Sequence, residues 1–507
     1  MAEEIEFKLQ VPPEALRTVR QLPWLRGAPA KRAKLVSIYF DTSKFKLRQS
    51  GIVLRVRRVG RKRIQTVKTA GDGAFARGEW EAAIKGDRPD LAAAQDSPLS
   101  RLASARLGRK LKPVFETVMM RTAIQVRSGN SDIEIAIDRG EIRAGRRHES
   151  VSEVEIELKK GDPAEISRLA KRIAEVVPVR FDPRAKADRG YALCVKKVGT
   201  AVRAADIVLD RRMTTGEAFR AIGFSCLYQL CANEQGVRAA DSESVHQMRV
   251  SLRRLRAAMS VFKVLLQDSE SEAIKAELKW LTEQLGPARD FDVFVRESVA
   301  PLSAAASEMG VLQEDMEARR DEGFRGAREA IDGERYRRLV LNVALWLANG
   351  AWSATTDTLK AVPRERPATA FASEVLTARL GKIVKKLRKL KQLDVRRRHK
   401  LRIGIKKLRY ATEFFDSLFD GGRSRRKNLA DLLEELQESL GRLNDFSVHR
   451  ELAGEIVHRG KRKDRRRPEK AFAMGIVTGN EQAQFNALID SAIKTGGRIS
   501  KCGQFWV

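Results

Sequence analysis

Residues 4–11 read Glu-Ile-Glu-Phe-Lys-Leu-Gln-Val. An extended strand turns every second side chain to the same face. Glu4, Glu6 and Lys8 therefore share one face, with Ile5, Phe7 and Leu9 on the other. Two neighbouring carboxylates repel unless a cation lies between them. Hard divalent ions such as Mg²⁺ and Mn²⁺ favour oxygen ligands of this kind. Taken alone, the segment fits either a solvated edge strand or a carboxylate face suited to a metal.

The same alternation recurs through the first 200 residues. Arg55 and Arg57 alternate with Leu54 and Val56, and Lys68 lies in Gln65–Thr69. Arg77, Glu79 and Glu81 alternate, as do Glu134, Ala136 and Asp138, and Glu153, Glu155 and Glu157 share a parity. Some strands thus offer carboxylates and others Arg or Lys, each backed by Val, Ile or Leu. If the strands closed into a barrel, one parity would line its interior. Carboxylates facing guanidinium groups across such a lumen suit a polyphosphate, whose oxygens Arg and Lys bind and whose charge a carboxylate-held metal offsets.

These segments resemble the CYTH superfamily, the triphosphate tunnel metalloenzymes. The likeness rests on the opening Glu-x-Glu-x-Lys, IYFDT (38–42), LRVRR (54–58), Lys68, RGEWE (77–81), Arg121, the Asp138 strand, EVEIE (153–157) and Lys186 in AKADRGY. It covers residues 1–200. It implies an eight-stranded antiparallel tunnel that binds a triphosphate. By the resemblance Glu4, Glu6, Glu155 and Glu157 hold the metal, with Asp138 a further metal or water ligand. Lys8, Arg55, Arg57, Lys68, Arg121 and Lys186 bind phosphate, and Glu4, Glu6 and Lys8 are the catalytic set. Glu153 shares the parity of Glu155 and Glu157, so either pair of the three fits.

The chain has 507 residues, enough for two to four domains. No apolar run approaches the ~20 residues needed to span a bilayer. The first residues are acidic and unlike a signal peptide. Cys194, Cys226, Cys231 and Cys502 lack CxxC spacing and fit buried apolar roles in a reducing cytoplasm. Five histidines, none at zinc spacing, offer no His/Cys metal site. The net charge is +32, shared between residues 1–200 (42 basic, 25 acidic) and the remainder (56 basic, 41 acidic). Both parts therefore attract polyanions.

After about residue 205 the alternation gives way to helical periodicity and an internal repeat. VHQMRVSLRRLRAAMSVFKVLL (245–266) matches RHKLRIGIKKLRYATEFFDSLF (398–419), and LTEQLGPARDFDVF (281–294) matches LQESLGRLNDFSVH (436–449). At 3.6 residues per turn, His246, Arg249, Arg253 and Arg256 share a face, as do His399, Arg402, Lys406 and Arg409. Leu252, Leu255, Met259 and Phe262 form an adjoining apolar stripe, as do Leu401, Ile405, Leu408 and Phe415. Helices are expected to end near Gly286 and Gly441, with Asp290 and Asp445 beyond them pairing with the basic helices. The basic run 458–470 reads as a solvated loop, and 300–330, 350–372 and 471–507 carry no readable motif. This half resembles the CHAD family, which implies two similar helical bundles whose basic surface binds inorganic polyphosphate. The expected fold is α+β in two domains: a β-tunnel at 1–200 and a helical domain at 205–490, with repeats at about 210–370 and 371–490.

Three function classes follow: an inorganic triphosphatase brought to polyphosphate by its helical domain, an organic triphosphatase or adenylate cyclase of the same tunnel family, and a non-enzymatic polyphosphate-binding scaffold. The full carboxylate and basic sets disfavour the third. Few aromatic side chains interleave the basic helices, so no specific nucleic acid is expected as partner, and no membrane. The expected reaction is hydrolysis of inorganic triphosphate to pyrophosphate and phosphate with Mg²⁺ or Mn²⁺ in the cytoplasm. The histidines should add a pH dependence near 6.5 to polyphosphate binding.

Overall fold

The computed structural model describes residues 5–69, 78–195, 201–353, 358–456 and 465–506. Glu4, Arg77 and most of the basic run 458–470 lie outside them. The chain forms two compact units. The first comprises Met1–Arg203, Gly223–Gly236 and Asp332–Ala354; the second comprises Ala204–Ile222, Val237–Ile331 and Thr355–Val507.

The first unit is built on one antiparallel sheet. Its strands are β1 (Ile5–Gln10), β2 (Ala30–Asp41), β3 (Ile52–Val59), β4 (Lys62–Thr69), β5 (Glu79–Ala83), β6 (Lys112–Ser128), β7 (Ser131–Ala144), β8 (Arg147–Lys160) and the two-residue β9 (Arg180–Phe181). Their order is β5-β4-β3-β2-β6-β7-β8-β1-β9. Eight strands of five residues or more match the expected number in an antiparallel sheet; β9 is the addition. Three tight hairpins turn on glycines in left-handed backbone, Gly60 (φ 57°), Gly129 (φ 57°) and Gly145 (φ 61°), a conformation that costs a residue with a Cβ dearly.

The two parities of the strands divide as the alternation requires. On one face Leu54 and Val56 pack with Phe40, Leu47, Leu99 and Leu107. Val154, Ile156, Ile135 and Ile137 are fully buried on that parity, and α1 (Ala164–Ala174) covers β1 and β8. The other face changes character along its length. At one end Tyr39, Phe115, Met119, Ile142 and Val151 form an apolar cluster with Ala187 and Tyr191 of α2 (Lys186–Cys194). A Cβ on Gly190 would meet the Phe115 ring at 2.2 Å, so only glycine lets α2 sit this close. Two residues beyond Met119 and Val151 the same parity carries Arg121 and Glu153. Lys186, the first residue of α2, stands at this boundary. β3 and β8 are four places apart in the sheet, roughly 19 Å if it were flat. Yet Arg57 lies within electrostatic reach of Arg121 and Glu155, so the sheet curls around its polar face.

The second unit contains most of the duplicated helices. In chain order these are α3 (Thr215–Ala232), α4 (Glu234–Arg238), α5 (Ser242–Val261), α6 (Ser269–Gln284), α7 (Gly286–Phe294), α8 (Glu308–Asp332), α9 (Glu334–Asn349), α10 (Ala368–Leu387), α11 (Val395–Phe414), α12 (Arg423–Gly454) and α13 (Arg467–Ser500). The segment 223–236 of α3 and α4, and α9, cluster with the first unit. Helices α3 and α10, and α5 and α11, begin 153 residues apart, as the sequence repeat does. Even the caps are duplicated: Asp241 accepts from Ser244 N–H and Asp394 from Arg397 N–H. Asp241→Ala and Asp394→Ala should each cost about 1 kcal/mol in urea unfolding; no change would mean the caps are redundant.

One expectation is corrected here. A helix does end just before Gly286, but Gly441 lies inside the continuous α12. Pro287 follows Gly286 and removes a backbone donor, whereas Arg442 follows Gly441. The buried stripe Leu429, Leu432, Leu433, Leu436, Leu440, Leu443 and Phe446 then outweighs one glycine, about 1 kcal/mol. The stretches 300–330 and 471–507, which carry no motif, contain the long helices α8 and α13. Among the described residues no helix is long and apolar enough to cross a membrane.

Candidate active site and basic helical face

Strand register decides what meets on the polar face. Lys8 lies opposite Glu155, Glu6 opposite Glu157 and Gln10 opposite Glu153; Asp138 lies opposite both Arg121 and Glu153. Like charges directly across a ladder repel. Local ammonium groups offset this for Glu6 and Glu157: Lys8 pairs with Glu6, and Lys159 reaches Glu157 at 2.5 Å.

Asp138, Glu153 and Glu155 are buried and each brings a carboxylate oxygen within 4.8 Å of the others. Lys186 Nζ stands 2.8 Å from both Asp138 Oδ2 and Glu155 Oε1 and also pairs with Glu153. Arg121 donates through Nε to Asp138 Oδ1 at 2.8 Å and also pairs with Glu155. Arg189 donates to Glu153 Oε2 at 3.0 Å and Glu149 at 2.7 Å. Burial alone would raise the Asp138 carboxyl, but Lys186 and Arg121 hold it below the usual carboxylate range. Glu155 is held well below that range, burial being outweighed by Lys186, Arg121 and Lys8. Burial wins at Glu153 and pushes its carboxyl up despite Lys186 and Arg189. Burial would lower Lys186, but the three carboxylates raise it. This set of hard, close oxygen donors fits a divalent metal.

The facing side is basic with fewer counter-charges. Glu79 accepts from Arg55 at 3.2 Å and pairs with Lys68 at 2.9 Å. Glu81 lies 3.8 Å from Arg55 and accepts from Thr66. Arg55 Nε is buried and donates to nothing among the described residues. Among the described residues Arg57 meets the neutral hydroxyl of Ser37 at 3.1 Å and no carboxylate. Burial, with Arg55 beside it, pushes Arg57 down to about 10, so it still carries its charge at neutral pH.

The structure therefore gathers Glu6, Lys8, Arg55, Arg57, Lys68, Arg121, Asp138, Glu155 and Lys186 on one face. Glu157 shares the face but lies outside the close carboxylate group, and Glu153 is in it. Register and depth, not parity, separate those two. Glu79 and Glu81 also belong to the face; their alternation in RGEWE was the available signal.

In the second unit α5 and α11 pack together. Both apolar stripes are buried, from Leu252 to Phe262 and from Leu401 to Phe415. Arg254, next to the predicted basic positions, is buried and pairs across to Glu413 at 2.6 Å. The predicted basic faces meet: Arg253 of α5 lies within electrostatic reach of Arg402 and Lys406 of α11. Arg253 Nε and Arg402 Nε are buried without acceptors among the described residues. Arg249 pairs with Asp290 at 3.0 Å, as expected, while Asp445 lies within reach of Arg402 and Lys406. His399 meets Asn444 at 2.5 Å, and Arg409 donates to Gln437 at 3.1 Å. Arg256 is exposed and lies near Lys407 instead. Burial and the surrounding arginines push His246 down to about 4, correcting the expectation that it titrates near 6.5. Burial and then Arg402 and Arg253 push Lys406 down to about 7.

A curled antiparallel sheet with opposed carboxylate and guanidinium sets, joined to a duplicated helical unit with a basic seam, defines a two-part class of protein. Residues 2–191 match the CYTH domain and residues 221–454 the CHAD domain; the chain is a CYTH–CHAD protein. It is 29% identical over 203 residues to an inorganic triphosphatase of Haemophilus influenzae. That match covers 39% of this chain and 56% of the relative, little more than half its length. The crystal structure of the CHAD domain from the plant Ricinus communis is 26% identical, with a TM-score of 0.52 over 60% of this chain and 98% of that one. A Hippeastrum protein, HpAC1, whose dominant activity is as a triphosphatase, is 17% identical with a TM-score of 0.30, over 38% of this chain and 95% of that one.

Proposed function

We propose that the first unit hydrolyses inorganic triphosphate to pyrophosphate and phosphate with Mg²⁺ or Mn²⁺, and that the basic seam of the second unit binds inorganic polyphosphate. The observation that carries the first part is Arg57, a partly buried guanidinium that meets no carboxylate among the described residues, facing a carboxylate cluster across the same polar face. An extended polyanion gives Arg57 its acceptors, and a divalent ion held by the carboxylates would offset the remaining charge. The likeness to the Haemophilus influenzae inorganic triphosphatase favours inorganic triphosphate over an organic one.

Asp138, Glu153 and Glu155, with Glu6 nearby on β1, would hold the metal, and Glu4 and Glu157 are the further carboxylates of the proposed set. When bound, the ion would supply charge neutralisation on the triphosphate and orient a water for in-line attack. Arg55, Arg57 and Lys68 bind the phosphate oxygens and hold the chain extended. Arg121 and Lys186, already ion-paired to the carboxylates, are placed to share a phosphate oxygen between the two sets. Lys8, opposite Glu155, adds a donor at the same level. The guanidinium groups take up the charge that develops on the departing pyrophosphate.

Phosphate release from inorganic triphosphate, ATP and thiamine triphosphate, measured side by side with Mg²⁺ and Mn²⁺, tests the reading. Inorganic triphosphate should be turned over fastest. Preference for ATP or thiamine triphosphate would move the assignment to an organic triphosphatase or cyclase. Glu6→Gln should keep the fold and lose most turnover, and EDTA should abolish it. Undiminished activity in either case would sink the metal-dependent mechanism.

A further inference from the structure

We propose that Glu234, which lies in the CHAD-matched span, is a positioning residue for the tunnel chemistry, acting through the segment Arg180–Lys186 on Lys8 and Lys186. The inference rests on the catalytic reading above, and all its residues lie in the first unit.

Glu234 opens α4 and is buried. One carboxylate oxygen accepts from Tyr336 Oη of α9 at 2.8 Å, and the other pairs with Arg180 of β9. Tyr336 is fully buried, and this carboxylate is held by a hydroxyl on one oxygen and a guanidinium on the other. Arg180 lies directly opposite Gln10, and Phe181 opposite Leu9, at the end of β1 that follows Lys8. Phe181 also packs its ring 4.5 Å from that of Phe7.

From there the chain is fixed residue by residue. Asp182 N–H donates to the Lys8 carbonyl at 3.4 Å, and Gln10 Nε2 donates to Asp182 Oδ2 at 2.6 Å. Arg184 grips the Asp182 carboxylate through Nε at 2.9 Å and its terminal nitrogen at 2.8 Å. Two residues later Lys186 reaches Asp138 and Glu155. Seven consecutive residues thus join Glu234 to the backbone of Lys8 and the side chain of Lys186. β9 supplies only two ladder positions, too few to fix the segment through its own pairing. The buried Arg180–Glu234–Tyr336 bridge supplies what the ladder lacks. Losing a buried carboxylate strands its partner cation, and the segment is the part free to move in response.

The test uses the full chain and three variants, Glu234→Ala, Glu234→Gln and Tyr336→Phe. Triphosphate kinetics are read together with hydrogen exchange at residues 5–10 and 180–186 and with thermal unfolding. Glu234→Ala should lower kcat by about 10–100-fold, the range seen when an outer partner of a functional group is removed. Its KM should change less than kcat, because Arg55, Arg57 and Lys68 stay in place and, of the phosphate-binding groups, only Lys8 and Lys186 are linked to the segment and displaced. Exchange should quicken at 5–10 and 180–186 while 52–69 stay protected. Glu234→Gln can keep its amide oxygen on Arg180 with its NH2 donating to Tyr336 Oη but lacks the charge, so it should recover part of the activity. Tyr336→Phe, which keeps the Arg180 pair, should lose least. If Glu234→Ala fails to fold, the milder Tyr336→Phe carries the test. Unchanged kcat with unchanged local exchange overturns the proposal, as does a loss that tracks global unfolding alone. If the wild-type chain leaves triphosphate intact, the catalytic reading fails. Exchange at 180–186 then still decides whether Glu234 holds the segment.

Discussion

Replacing Glu155 by glutamine should lower triphosphate turnover by at least about 10²-fold and leave the chain folded. The glutamate is 8% exposed and sits between Lys186 and Arg121. Those cations hold it well below the usual carboxylate range, so it is an anion at any pH where the enzyme would work. Glutamine keeps the shape and one oxygen but removes the charge a hard divalent ion needs. Loss of an outer partner typically costs 10–100-fold, so loss of an inner carboxylate should cost at least the upper end of that range. The measurement is kcat over a series of Mg²⁺ and Mn²⁺ concentrations. A shift to higher metal demand with partial recovery would mark Glu155 as a ligand. A uniform small loss, independent of metal, would remove it from the site. Parallel Glu153→Gln and Glu157→Gln variants rank the other two members of EVEIE; the buried grouping puts the larger loss at Glu153.

Polyphosphate binding should tighten as pH falls from 9 towards 7 and level off below, with Lys406 as the group responsible. In the free chain Lys406 is pushed down to about 7 by burial and by Arg402 and Arg253, with Arg409 adding to this and Asp445 opposing it. A polyanion favours the charged ammonium and raises that value. Between the free and bound values the complex therefore holds more protons than the free protein, so affinity rises as pH falls, by at most about one decade per pH unit for one proton. Below the free value both states are protonated and the slope vanishes. Lys406→Arg should bind with little pH dependence across this range, since arginine stays charged. His246→Asn should leave the slope unchanged, because His246 is neutral down to about 4. Arg253→Glu combined with Lys406→Glu should weaken binding at least about 10²-fold and flatten its salt dependence. A pH slope that survives in Lys406→Arg, or tight binding by the double reversal, would move the anion site away from this seam.

The sheet was readable because its strands keep strict alternation over five residues or more. Register was not. Three glutamates at 153, 155 and 157 share a parity, and only pairing with β1 and depth in the fold rank them. Arg180–Phe181 is too short to carry any period, yet it is where the strand bearing Lys8 is held. In the helical half the basic spacing announced α5 and α11; their duplicated caps appear only in the structure. Helix α13 stayed hidden because Gly475, Gly479, Gly496 and Gly497 lower its helical signal while Ala473, Met474, Val477, Ile489, Ala492 and Ile499 are buried. The glycine signal held at Gly286, where Pro287 follows, and misled at Gly441, where tertiary burial decided it. The clustering of 332–354 with the sheet is a tertiary fact that no local pattern carries.

Lys186 has a further consequence for how the protein handles ions. Its ammonium group, together with Arg121 and Arg189, already balances the charge of Asp138, Glu153 and Glu155. Folding should therefore not wait for a metal, in contrast to small domains whose ligands repel one another until the ion arrives. On the reading proposed above, an incoming ion must take carboxylates that an internal cation already occupies. Such exchange favours loose, fast turnover of an ion that is plentiful in its surroundings over capture of a scarce one. Chelation should accordingly silence the protein and leave its melting temperature almost where it was.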